Sequence, residues 1–294
     1  MLSKKSLLYF QLVLSMFLWG GTWIAGRVLV HTFSPMPAAF LRFFLASLFL
    51  LLMCRTIQGS FPSIKRQQVL PLLFLGGTGI FLYSWFFFTG LQTTPAGRAA
   101  LIVACIPACI AAASALLYKE RFSKLRVFST LLALAGVAVV IGDGNPLALL
   151  TGGIKAGDLY ILGCVVSWTA YSLGGRSVMR SINPLCAVTW SCVFGSLLVL
   201  PPALASGMAE EILEARFIDW FCVAYLGVLA TGLAYLWYYR AIQSLGPSRA
   251  GIFINLVPVF ALALSAMLLG EEVHLSLLAG GAMVITGVYL TNRA

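Results

Sequence analysis

Ten apolar segments of bilayer-spanning length follow one another along this chain, at about 7–30, 36–54, 69–90, 96–118, 125–142, 157–180, 184–206, 219–242, 249–270 and 274–291. A helix needs about 20 mostly apolar residues to cross a hydrocarbon core. With no water to satisfy the backbone there, only helices and closed barrels can cross. These segments are continuously apolar rather than alternating, which excludes a barrel. Composition agrees: 61% of the 294 residues are hydrophobic and 10% are charged, against about 25% charged in soluble domains. Mean hydropathy is +0.97. The net charge of +10 therefore raises the question of which side of a membrane the charges occupy, rather than pointing to nucleic acid.

With the N-terminus placed inside, the inner links hold thirteen basic residues: Lys4, Lys5, Arg55, Lys65, Arg66, Lys119, Arg121, Lys124, Arg126, Arg180, Arg240, Arg249 and Arg293. The outer links hold Arg98, Lys155 and Arg216, and Arg27, Arg42 and Arg176 lie within segments. This asymmetry predicts both termini on the cytoplasmic side. The basic head MLSKK precedes an apolar run that continues to Val30. That run is too long for a signal peptide and reads as a retained first span.

The chain says one thing twice. LQTTPAGRAALIVACIPACIAAASALLYKE (91–120) and IQSLGPSRAGIFINLVPVFALALSAMLLGE (242–271) align at an offset of 151. Gln92 meets Gln243, Arg98 meets Arg249, Pro107 meets Pro258, Ser114 meets Ser265, Glu120 meets Glu271 and Gly136 meets Gly287. Earlier parts align at 149: Trp19 with Trp168, Gly26-Arg27 with Gly175-Arg176, Pro35 with Pro184. The expectation is an all-α polytopic membrane protein with two five-helix repeats, residues 1–150 and 151–294. Five is odd, so the second repeat enters the membrane inverted. Inverted repeats supply alternating access around a midplane site; the bland alternative is an old duplication kept for packing.

Ten spans in two halves, LWGGTW in the first span, and Pro107…Glu120 and Pro258…Glu271 in the fourth and ninth together resemble the drug/metabolite transporter superfamily, EamA-type branch. The Trp- and Tyr-rich first, third, sixth and eighth spans are most similar to YddG-type exporters of aromatic and other amino acids. The resemblance covers the whole chain. It implies a central cavity lined by spans 1–4 and 6–9, with spans 5 and 10 peripheral. It implies a multi-pass protein of the bacterial inner membrane, with small-molecule substrates (amino acids above all) and the lipid bilayer as partners. A monomer is compatible with this reading. Drug or nucleotide-sugar exporters of the same superfamily are the nearest rivals; an intramembrane enzyme and a channel are rivals of other classes.

Candidate site residues follow from cost and spacing. Trp19, Trp23 and Arg27 recur every four residues and share one helix face; Trp168, Ser172 and Arg176 repeat that face in the second half. A midplane indole N–H needs a partner, so this face either lines a cavity or packs between helices. Trp220, at a span end, belongs to an interfacial belt. YSWFFF (83–88) and AYLWYYR (234–240) carry too many aromatics to face one way. Tyr83 and Phe87 share a face, as do Tyr235 and Tyr239, or Ala234 and Tyr238, and sequence does not choose between faces; Tyr83, Trp237 and Tyr238 are the cavity candidates. Arginine at a span centre costs about 2.5–3.5 kcal/mol on insertion scales. Arg27, Arg42 and Arg176 therefore either snorkel or capture a carboxylate, the last role falling first to Arg27 and Arg176. Pro107 and Pro258 each remove a helix hydrogen bond, freeing the carbonyls of Val103 and Ile254 and predicting kinks or hinges. Asn255 places an amide beside the second of these.

The remaining chemistry is sparse. Cys54, Cys105, Cys109, Cys164, Cys186, Cys192 and Cys222 lie in apolar runs without metal-type spacing, and His31 and His274 stand alone. No metal site, cofactor or nucleotide motif is expected, and no enzyme. No acid, lysine or histidine lies deep in a span, which predicts facilitated flux without proton coupling. Glu120 and Glu271, at span ends, read as structural acids. Gly136 and Gly280-Gly281 predict close helix contacts.

Overall fold

The computed structural model of the chain describes residues 4–91, 93, 102–118, 123–141, 145, 156–269 and 275–293. The expectations placed on Gln92, Arg98, Glu120, Glu271 and His274 lie outside the described residues. Every regular element among the described residues is helical. In chain order they are α1 (Lys4–Leu29), α2 (Pro35–Gln58), α3 (Arg66–Gly76), a π-helical segment π1 (Gly77–Leu82), and α4 (Tyr83–Leu91). Next come α5 (Ile106–Tyr118), α6 (Lys124–Ile141), α7 (Ala156–Val178), α8 (Pro184–Ala205), α9 (Met208–Glu214), and α10 (Phe217–Ala224). The chain ends with π2 (Tyr225–Leu233), α11 (Ala234–Leu245), α12 (Pro247–Gly251), a 3-10 turn (Ile252–Asn255), α13 (Leu256–Leu269) and α14 (Leu275–Arg293).

Five helices among the described residues are long and apolar enough to cross a bilayer: Lys5–Gly26, Pro35–Gln58, Arg66–Gly90, Pro184–Ala205 and Phe217–Leu245. Shorter apolar helices, including Ile106–Tyr118 and Leu278–Thr291, accompany them. Large apolar side chains face outward, with Leu70 74%, Leu116 83% and Phe217 85% exposed. An apolar outer surface is what a lipid solvent asks for, and the chain is a polytopic membrane protein.

Local chemistry sets the boundaries. Pro35 and Pro184 start α2 and α8 from extended Ser34 and Asn183, the first-turn position where a missing N–H costs nothing. Asn183 Oδ1 accepts from Cys186 N at 2.8 Å. Gln68 accepts from Lys65 N at 2.8 Å and Asp219 from Arg216 N at 2.9 Å. These are the same third-residue back-bond, 151 positions apart. Gly246, at φ 87°, turns α11 directly into α12.

The halves echo one another in detail. π1 and π2 interrupt the third and eighth apolar segments at matching places. Ahead of Pro107 the helix breaks at Ala104-Cys105, where Cys105 N bonds Ile102 O at 3.0 Å. Ahead of Pro258 lies the 3-10 turn. Both breaks sit where the sequence removes a backbone donor.

Packing follows the same exchange. α2 packs on α8, and α6 on α14. α1 packs on α13 and α11 as α7 packs on α5 and α4; π2 lies on α2 as α3 lies on α8. The α6–α14 contact is reciprocal: a Cβ on Gly136 would lie 2.6 Å from Gly280 O, and one on Gly287 2.6 Å from Ser129 O. This is the close approach that the small residues predict.

Candidate functional site

Four rings meet where the halves cross. Trp19 of α1 lies 5.4 Å from Trp168 of α7, edge-on at 88°. Tyr238 of α11 lies 5.3 Å from Trp19 and 5.9 Å from Trp168. Tyr235 lies 5.7 Å from Trp19 and 5.4 Å from Trp168. Edge contacts of this kind are worth about 0.5–1.5 kcal/mol each beyond burial. Tyr83 and Tyr171 flank the group, each 5.3 Å from Trp168, and Tyr171 packs on Tyr239 at 4.9 Å.

The LWGGTW stretch explains how this box is held. Trp19 Nε1 donates to Ala230 O, in π2, at 2.8 Å. Its neighbouring glycines admit two approaches that a side chain would block: a Cβ on Gly20 would meet Phe260 at 2.8 Å, and one on Gly21 the Tyr225 hydroxyl at 2.3 Å. That hydroxyl donates to Leu18 O at 2.7 Å. Ser15 Oγ reaches Ala234 O at 3.2 Å. Three polar contacts thus pin α1 to the length of π2 and its continuation.

The second half has a matching but looser tryptophan. Trp168 Nε1 is buried beside the Tyr238 hydroxyl with no hydrogen bond of normal geometry. Asn255, fully buried, has neither amide atom bonded, and Ser114 Oγ and Thr169 Oγ1 are likewise buried without partners. Buried polar groups are almost always satisfied, which sets these atoms apart among the described residues.

The sequence candidates divide accordingly. Trp19, Trp168, Ser172 and Tyr238 come together, with Ser172 Oγ 3.1 Å from Tyr238 Oη. Tyr83 adjoins them and stacks on Phe87 at 6.1 Å. Trp237 is half-buried and, among the described residues, pairs with none of the box rings. Arg176 lies elsewhere, its guanidinium 4.3 Å over the Tyr118 ring. Tyr118 and Ser177 there line an apolar groove of about 700 Å³ between α5 and α7. The side chains of Trp23 and Arg27 lie outside the described residues. Pro107 is buried and Pro258 half-buried. Trp220 is 40% exposed and touches Phe33, in keeping with an interfacial place.

Sequence reasoning leaves the shared face of Tyr235 and Tyr239 unchosen and misses Tyr171 and Thr231. One signal was present: Gly79 and Gly175 sit where a Cβ would meet Tyr171 at 2.2 Å and Tyr239 at 2.6 Å.

The two ends of the box differ. Toward the Lys65 end, Tyr171, Tyr238 and Tyr239 are fully buried. Tyr239 Oη donates to Tyr171 O at 3.1 Å. α11 packs on both α7 and α8, and α12 on α7 and α5. Toward the Arg216 end, α4 packs on α2, and Phe87 and Phe88 are only partly buried. A pocket of about 270 Å³ opens there between Pro35, Met36, Phe81, Trp85, Phe88, Thr89, Pro202 and Ser206. Among the described residues, Asp158 and Asp219 are carboxylates buried at helix starts. Asp219 accepts from Thr32 Oγ1 at 3.1 Å and lies 3.7 Å from Arg216 Nε. Among the described residues no three of His, Cys, Asp and Glu come together as a metal site.

Comparison with known proteins gives the arrangement a family. An uncharacterized transporter of Bacillus subtilis (strain 168), YyaM, is 29% identical over 269 residues, covering 92% of this chain and 88% of that one. A probable terminal-alkyne amino-acid exporter of Streptantibioticus cattleyicolor is 26% identical over 293 residues, covering 99% and 95%. One solved crystal structure superposes with a TM-score of 0.76 at 20% identity, covering 98% of this chain and 97% of that one. At that identity the likeness is one of fold. The EamA-like transporter family matches residues 6–142 and again residues 155–293, and the chain belongs to that family.

Proposed function

We propose that the protein is a ten-span exporter of small metabolites, in particular amino acids including aromatic ones, acting by alternating access. Its two five-helix halves (1–150 and 151–294) lie inverted in the cytoplasmic membrane, with both termini inside. The observation that carries this is the aromatic box of Trp19, Trp168, Tyr235 and Tyr238, one tryptophan from each half, with the Trp168 indole N–H buried there without a hydrogen-bond partner. Ring faces hold an ammonium by cation–π attraction, worth about 0.5–2 kcal/mol, and accept apolar side chains. Unmatched indole and amide groups supply weak, neutral hydrogen bonds. Such partners suit modest affinity and broad side-chain tolerance. The positive-inside asymmetry supports the placement of both termini inside, and the exporter among the relatives supports the direction and the substrate class.

Since no carboxylate faces the box among the described residues, flux follows the substrate's own gradient, and export reflects the higher internal concentration. Purified protein in liposomes, tested with labelled amino acids, is expected to give saturable flux in either direction, led by aromatic and apolar substrates. Uphill accumulation driven by a pH gradient alone would overturn the facilitator mechanism and turn attention to a span-end acid such as Glu120 or Glu271, or to Asp219, which is fully buried. Absence of flux for every amino acid would overturn the substrate class.

A further inference from the structure

We propose that Arg42, steadied by Thr231 and Phe43, is the anchor for a substrate carboxylate, so that the transported class is organic acids and zwitterions rather than amines. The inference rests on reading the aromatic box as the transport site and names the charge recognised there.

Arg42 stands two turns inside α2, in an apolar segment, and is partly buried. Its Nε donates to Thr231 Oγ1 at 2.7 Å, and its guanidinium carbon lies 5.0 Å over the Phe43 ring. No carboxylate of the described residues pairs with it. One neutral hydroxyl and one ring are poor compensation for a cation drawn out of water. The two terminal nitrogens carry no hydrogen bond among the described residues. They form the planar fork that matches a carboxylate.

The placement joins this fork to the box. Thr231 follows Ala230, whose carbonyl holds the Trp19 indole. Phe43 packs on Tyr235 at 6.4 Å. A Cβ on Gly227 would lie 2.9 Å from Arg42 O, so π2 is pressed onto α2 at this level. Arg42 is within electrostatic reach of Tyr83, Tyr225 and Tyr235. A molecule with its apolar part among the rings thus meets a fixed positive charge on the α2 side. Arg176, turned onto Tyr118, has no such position.

The test uses the full-length protein in detergent and three probes: L-phenylalanine, its amide and phenylacetate. Wild-type protein is expected to bind the two acids about tenfold or more tightly than the amide, the range for a hydrogen bond to a charged group. Arg42→Gln is expected to abolish that preference while leaving amide binding in place, and Arg176→Gln to leave the preference intact. Should Arg42→Gln not fold, Arg42→Lys carries the test, because it keeps the charge and loses the fork; it is expected to lose most of the preference. Equal binding of acids and amide by wild type, no binding of any probe, or full preference in either Arg42 variant overturns the anchor. Binding of phenylacetate through Arg42 without binding of phenylalanine keeps the anchor and overturns the amino-acid reading instead.

Discussion

The helices α4 and α11 occupy equivalent places in the two halves, each continuing a π-helical segment, yet they end the box in different ways. At an offset of 151, Phe87 and Phe88 of α4 correspond to Tyr238 and Tyr239 of α11. The tyrosines are fully buried and spend their hydroxyls on α7, at Ser172 Oγ and Tyr171 O. The phenylalanines have no hydroxyl to spend and are partly buried. Two halves with one backbone plan therefore close with unequal strength. On the proposed alternating-access mechanism, identical halves would give two isoenergetic states, and side-chain differences such as this one would set which state is populated at rest.

The largest expected effect comes from removing what the halves share. Trp19→Ala and Trp168→Ala each delete one wall of the box, and each is expected to cut flux about tenfold or more at equal abundance of inserted protein. The two should not be equal in stability. Trp19 also loses its bond to Ala230 O, and a core Trp→Ala change costs about 3–5 kcal/mol; Trp168 has no such bond to lose. Trp220→Ala, at the exposed belt, is expected to leave flux near wild type. Equal flux losses for all three would remove the box from the transport path. Flux assays paired with thermal melts separate the two readouts.

A smaller, kinetic effect is expected at the paired breaks. Pro107→Ala and Pro258→Ala restore a backbone donor to each half, allowing the break at Ala104-Cys105 and the 3-10 turn to relax toward α-helix. Each variant is expected to slow turnover several-fold with substrate affinity nearly unchanged, if the breaks are hinges. Normal turnover in both would make them packing kinks. Pre-steady-state flux beside equilibrium binding distinguishes the cases.

What the sequence disclosed and withheld has one physical cause. The apolar helices are legible because lipid demands runs of apolar residues, and the face carrying Trp19, Trp168 and Ser172 because α-helical periodicity holds along α1 and α7. It does not hold through π1 and π2. Each extra residue in a turn rotates the following helix by about 100°, so face assignments carried across GTGIFL and YLGVLATGL are lost. That is why the sequence does not choose between the Tyr235–Tyr239 face and the faces carrying Trp237 or Tyr238. Tyr171 escaped because it sits at i+3 from Trp168, outside the four-residue series. Arg42 could not be ranked above Arg176 from spacing alone; only the position of Tyr118 against α7 shows where the Arg176 guanidinium goes.

The finest test exchanges the closing residues themselves. Tyr238→Phe removes the hydroxyl that meets Ser172, and Tyr239→Phe the one that meets Tyr171 O. A typical hydrogen bond contributes about 0.5–1.5 kcal/mol net, and Ser172, fully buried, would be left without that partner. The double variant should shift the balance between the two open states by about tenfold or more, toward opening at the Lys65 end. Both substitutions keep the ring contacts, so the box itself stays intact. The readout is the reaction rate of Ile242→Cys, 1% exposed near the Lys65 end of α11, in a background lacking the native cysteines. The rate is expected to rise in the double Phe variant. In Phe87→Tyr with Phe88→Tyr, which gives α4 the hydroxyls it lacks, it is expected to rise as well, because closure at the Arg216 end favours the opposite opening. A rate unchanged in both pairs would mean that the hydroxyls do not set the balance, and that the difference between α4 and α11 is one of packing alone.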